Sequence, residues 1–180
     1  MNHEKQLIEI VKNAQGNLIG IGIDSKFVLE EIEKNEQITN CHLLDSIDTT
    51  PIDGKRRRTK SLKVKKFRRK FKKKRTDLIL CRIQSIDKYW KYFIRDSVYI
   101  TKGQVVYYGT KEEFTIEKEE FLKRYRRYPK TEVTFLEDKE GIMIYVTMND
   151  AKTHRIRDFF YMIKDTFYNV SQLLGDYLVQ

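Results

Sequence analysis

The chain has 180 residues, 40% of them hydrophobic and 12% aromatic, which is enough for one well-buried core and too apolar for a disordered chain. Its formal net charge is +10, yet residues 55–75 alone hold 15 Lys and Arg and no acid; removing them leaves 21 basic against 26 acidic residues, a balance of −5. A generally basic protein is therefore excluded, and the pattern is one cationic segment on a mildly acidic domain. Leu7, Ile8, Ile10 and Val11 recur at helical spacing before the stop at Gly16, so a helix opens the chain. The apolar run 17–23 predicts a strand, and Asp24-Ser25 caps a helix in which Phe27, Val28, Leu29 and Ile32 alternate with Glu30, Glu31 and Glu33. A second short strand spans Cys41 to Leu44 and ends at Asp45.

A polar loop, 46–54, leads into the basic segment, after which Asp77 to Ile83 reads as a strand buried on both faces. A helix follows with Ile86, Trp90, Phe93, Ile94 and Val98 inward, then a strand from Gln104 to Tyr108 closed by Gly109, and a helix over 117–128. Glu132 to Leu136 and Ile142 to Thr147 flank a turn at hairpin spacing. The last helix, 153–180, carries Ile156, Phe160, Ile163, Phe167, Val170, Leu174 and Tyr177 at alternating steps of four and three. That pattern serves packing on the body or a homodimer through residues 156–178.

Cys41 and Cys81 lie within apolar runs without metal-ligand spacing, so buried free thiols are expected, and no metal. No apolar run approaches the roughly 20 residues of a bilayer span, and residues 1–15 lack a signal-peptide core, so a cytoplasmic protein is expected. His3, His42 and His154 are scattered and belong to no nucleophile set, and the catalytic residues remain unassigned.

The basic segment comprises Lys55, Arg56, Arg57, Arg58, Lys60, Lys63, Lys65, Lys66, Arg68, Arg69, Lys70, Lys72, Lys73, Lys74 and Arg75. Charges at this density repel one another unless a polyanion is present, and counterion release from phosphates supplies the affinity. RNA is the expected partner because no groove-reading DNA module is visible. Phe67 and Phe71 would stack on unpaired bases or dock the arm on the body, and Arg124, Arg126 and Arg127 would extend the surface. Leu62, Val64, Phe67 and Phe71 also keep an anionic membrane surface among the partners considered.

Alternating strands and helices argue for an α/β fold, a doubly wound and mostly parallel sheet with a terminal antiparallel hairpin. With its glycine-bearing first strand, its acid ending the second and the Lys102-Gly103 entry to a later strand, the chain resembles the class I S-adenosylmethionine-dependent methyltransferases. The resemblance covers roughly residues 5–150 without the arm. It implies one Rossmann-like domain over 1–180, with an inserted arm over 46–76 in place of the family's third strand. It also implies S-adenosylmethionine as cofactor, held by the turn at Gly20, Gly22 and Asp24 and by Asp45 on the ribose. Ile23-Asp24 stand where the family usually has a further glycine and add a side chain and a charge where the cofactor carboxylate would approach. The strand end Leu80-Cys81-Arg82-Ile83-Gln84-Ser85 lacks the family's amine-positioning residues. These departures favour an RNA-binding protein, associated with ribosomal or other structured RNA, on a methyltransferase-like fold of doubtful catalytic competence. An active RNA methyltransferase is the alternative, and a dimeric protein binding acidic partners or membranes is a third. The arm is expected to leave the sheet on the side where a doubly wound fold holds its ligand.

Overall fold

The computed structural model describes residues 3–44, 71, 73, 75–86, 89–128, 130–139, 141–149, 160 and 163. The elements in chain order are α1 (His3–Lys12), β1 (Gly16–Ile21), α2 (Lys26–Lys34), β2 (Ile38–Leu44), β3 (Thr76–Arg82), a 3-10 turn (Ile83–Ser85), α3 (Trp90–Ile100), β4 (Thr101–Gly109), α4 (Lys118–Tyr125), β5 (Thr131–Glu137) and β6 (Ile142–Met148). Six strands form one sheet in the order β2-β1-β3-β4-β6-β5, with β2, β1, β3 and β4 parallel and β6 antiparallel to both β4 and β5. Chain order reverses between β1 and β3, the switch point at which folds of this kind bind ligands.

Helices cover both faces, as the near-continuous apolar central strands require. On one face α1 and α2 contribute Leu7, Val11, Val28, Leu29 and Ile32 against Leu18, Leu43, Leu80 and Val106. On the other, α3 and α4 set Phe93, Ile94, Val98, Phe121 and Tyr125 against Ile19, Ile79, Cys81, Val105 and Val146. Each fully buried large side chain contributes roughly 1.5–3 kcal/mol. Within this second layer the Tyr107 and Tyr125 hydroxyls bond at 2.6 Å and Ser97 Oγ lies 3.4 Å from Tyr107, so the buried phenols are paired. Both cysteines are buried and free.

Local chemistry sets the element ends. Ser25 caps α2, its hydroxyl accepting from the Val28 amide at 3.3 Å and donating to the Glu4 carboxylate on α1. Asn35 follows α2 and donates to the Val11 and Ala14 carbonyls (2.6 and 2.9 Å), closing the end of α1 from outside. Several boundaries differ from the sequence expectation, β4 among them, which starts at Thr101. β2 starts at Ile38, three residues early, because Thr39 and Asn40 are exposed and break the apolar run. The helix expected from Ile86 begins at Trp90, since Ile83–Ser85 form a tight turn that buries Ile86. The helix over 117–128 is shorter and ends at Tyr125.

No strand lies outside β2 among the described residues, so β2 is a sheet edge and residues 45–75 make the whole crossover to β3. Being parallel, β2 ends at the carboxyl edge of the sheet while β3 starts at the amino edge, so this crossover runs from one edge to the other. Near its end the Phe71 ring is half-buried against the α3 and α4 layer and meets His42 edge-on at 5.3 Å. At the amino edge the Arg75 amide donates to Ile100 O at 3.0 Å, and its carbonyl accepts from Asn17 Nδ2 at 2.7 Å. Most of the basic segment, Asp45 and the expected C-terminal helix lie outside the described residues, save Phe160 and Ile163, which are helical. No helix among the described residues is long and apolar enough to cross a membrane.

Candidate functional site

The carboxyl edge at the switch point gathers the ends of β1, β3 and β4. Gly22 leaves β1 with φ +65°, a left-handed conformation that favours glycine, its amide donating to Leu44 O at 2.8 Å. Next to it, Arg82 at the end of β3 binds two carboxylates. Its Nη1 pairs with Asp24 after β1, and its Nε donates to both Glu113 oxygens at 3.1 and 3.2 Å, while Nη2 closes a second link to Glu113. Glu113 is itself positioned by the loop after β4, where the Thr110 amide donates to its Oε2 at 3.2 Å and the Glu113 amide donates to Thr110 Oγ1 at 3.4 Å. The Glu113 carboxylate at bonding distance raises the Arg82 pKa further, so the guanidinium stays charged. Tyr108 completes the cluster; its hydroxyl reaches Gly22 O at 3.5 Å and burial raises its pKa. One cation against two carboxylates makes this cluster net negative and ties three loops together.

The expected cofactor residues stand as follows. Gly20 is buried in β1 with Ile23 and Leu43 packed over its α-carbon, Leu43 Cδ2 lying 2.8 Å from where a Cβ would sit; it is a close-packing glycine and presents no backbone to a ligand, which corrects its assignment. The open side of Gly22 faces inward as well: a Cβ there would overlap the Ser85 hydroxyl and lie 3.3 Å from Arg82 Cβ. Asp24 is held by Arg82, and Asp45 lies outside the described residues. Ser85 and Arg82 thus pack against Gly22, and the Asp24 carboxylate is engaged by Arg82. Among the described residues no three His, Cys, Asp or Glu side chains converge as metal ligands would.

Of the expected nucleic-acid residues, one is corrected: Arg124 is 5% exposed, its side chain taken into the body. Phe71 meets His42, in keeping with the docking alternative rather than with a free stacking ring. Arg126 and Arg75 are exposed and Arg127 is half-buried. Lys73 is exposed and lies 5.9 Å from the Tyr99 ring centroid, a cation over an aromatic face. The sequence reading missed Arg82 and Glu113. Their one signal was a lone charge at the end of an apolar strand, Arg82 after Leu78-Ile79-Leu80-Cys81.

This architecture is that of the class I methyltransferase-like Rossmann fold. The chain is similar to a type 11 methyltransferase from Sulfolobus solfataricus (TM-score 0.57, 12% identity, 86% of this chain and 96% of that one). It is similar also to the methyltransferase domain of a bacterial Hen1 (0.57, 16%, 81% and 97%) and to M. capricolum TrmK in complex with S-adenosylhomocysteine (0.53, 12%, 97% and 87%). No family model matches the sequence, and no curated protein matches it. At these identities the likeness is one of fold, and the expected mostly parallel sheet with a closing antiparallel hairpin is what the structure has.

Proposed function

We propose that this protein binds RNA and uses a methyltransferase-like fold as the scaffold. The observation that carries this is the placement of 15 positive charges, with no acid among them, in the crossover between β2 and β3, on a body whose remaining charge is −5. A polyanion satisfies those charges, and the acidic body keeps the contact local to the arm. The packing of Ser85 and Arg82 against Gly22 supports the reading as binding without methyl transfer.

Fluorescence anisotropy with a short single-stranded RNA tests the proposal. Log affinity should fall linearly with log salt by about 0.7 per phosphate neutralised, and replacing the Lys and Arg of 55–75 by Gln should remove binding. Undiminished affinity in that variant overturns it. The alternative, an S-adenosylmethionine-dependent RNA methyltransferase, draws on the positive-φ Gly22 at the switch point and on fold neighbours such as the TrmK structure with its cofactor product. Isothermal titration of the unaltered protein with S-adenosylmethionine separates the two: no heat is expected, and saturable binding selects the alternative.

A further inference from the structure

A cavity of about 720 Å3 lies at the opposite, amino edge of the sheet. One wall is the last turn of α1 and its exit, with Ile10, Asn13 and Gln15. The other is a row of cross-strand neighbours, Leu78 on β3, Gln104 on β4 and Thr147 on β6. Ile10 and Leu78 give it apolar area, while four carboxamides and the Thr147 hydroxyl line it; of the carboxamides, Asn13 donates to Glu9 and Asn149 to Glu132. The side-chain amides of Gln15 and Gln104 make no hydrogen bond within the described residues.

A carboxamide offers a donor and an acceptor side by side, the complement of a base edge, and an apolar wall accepts the flat face of a ring. Phosphate is disfavoured here because Glu9 and Asp77 line the same space, although Lys102 Nζ pairs with Asp77 Oδ1 at 2.9 Å. The arm arrives at this edge: Arg75 precedes Asp77 by two residues, and Thr76 pairs with Thr101 next to Lys102. Phosphate contacts and base contacts are thus divided between adjoining parts of the chain, one positioning and the other selecting.

We infer that this groove seats an unpaired nucleobase of the RNA that residues 55–75 hold; the inference rests on the RNA-binding reading. The test is anisotropy with a short mixed-sequence single-stranded RNA on the full chain. Q104A/T147V should bind about 3- to 30-fold more weakly, with an unchanged salt slope, because base hydrogen bonds and no phosphate contacts are lost. Gln15→Ala, at an exposed position, should weaken binding about 2- to 10-fold without a change in thermal midpoint. With 4-thiouridine in the RNA, crosslinks should fall on residues 9–15 and 102–104. Affinity of Q104A/T147V within about twofold of the unaltered chain, with no crosslink to those peptides, overturns the groove. If the unaltered chain shows no salt-dependent binding, the RNA-binding reading itself fails and the groove falls with it, a result visible before any groove variant is made.

Discussion

The two edges of the sheet are made by the same parallel strands and have opposite character. At the carboxyl edge, where the fold ordinarily receives ligands, Asp24, Arg82 and Glu113 bind one another, Ser85 covers Gly22, and three loops are locked together. At the amino edge a groove of about 720 Å3 stays open, lined in part by Gln15 and Gln104, whose amides make no hydrogen bond within the described residues, and Arg75 is held beside it. The contrast teaches that a fold supplies a favourable place for a site, while the side chains decide whether that place is open.

Substitutions at the two edges should therefore differ in what they cost. The largest effect is expected from Gly22→Ala, which adds a Cβ at φ +65° against Ser85 and Arg82 and should lower stability by about 2–4 kcal/mol in urea denaturation. Ser85→Gly in the same background should recover the steric part; a G22A protein as stable as the parent would mean that the edge is not closed. Arg82→Met comes next. It leaves Glu113, whose side chain is 13% exposed, without its cation and should cost about 1–3 kcal/mol, with Glu113→Gln recovering part of the loss.

A change of pH sharpens the comparison from the side of the core. Burial raises the pKa of the Cys81 thiol and of the Tyr107, Tyr108 and Tyr125 hydroxyls above their ordinary values of 9.0 and 10.0. The unfolded chain gives up these protons first, so stability should hold through neutral pH and decline as pH rises past those ordinary values. Thermal midpoints from pH 7 to 11 measure it. The smallest effect is expected at the open edge, where Lys102→Ala removes a half-exposed surface pair with Asp77 and should change stability by less than about 0.5 kcal/mol. A large loss there would show that the groove wall is structural.

Much of the fold was legible in the sequence because its signals are local. Leu78 to Cys81 is apolar throughout and became the central strand; Asp24-Ser25 before Phe27-Val28-Leu29 marked a helix start; and the runs around 138–141 became the hairpin, where the Asp138 side chain accepts from the Gly141 amide at 3.1 Å. The sites were not legible for the converse reason. Arg82 meets partners 58 and 31 positions away, and the groove joins α1, β3, β4 and β6, so neither leaves a motif along the chain. Gly20 and Gly22 look alike in sequence, and only the direction in which each α-carbon faces separates packing from turning. The expected exit of the arm at the ligand-binding edge was half of the answer, since a parallel crossover must also return at the other one.

The place of β2 at the end of the strand order among the described residues has a consequence for how copies of this chain behave in solution. An outermost strand is where the sheet of another molecule can pair. Here that strand carries Thr39 and Asn40 in solvent, and the polar loop 46–54 joins it to the most cationic stretch of the sequence. Two sheets meeting there would bring two like-charged segments together, and their repulsion opposes the pairing.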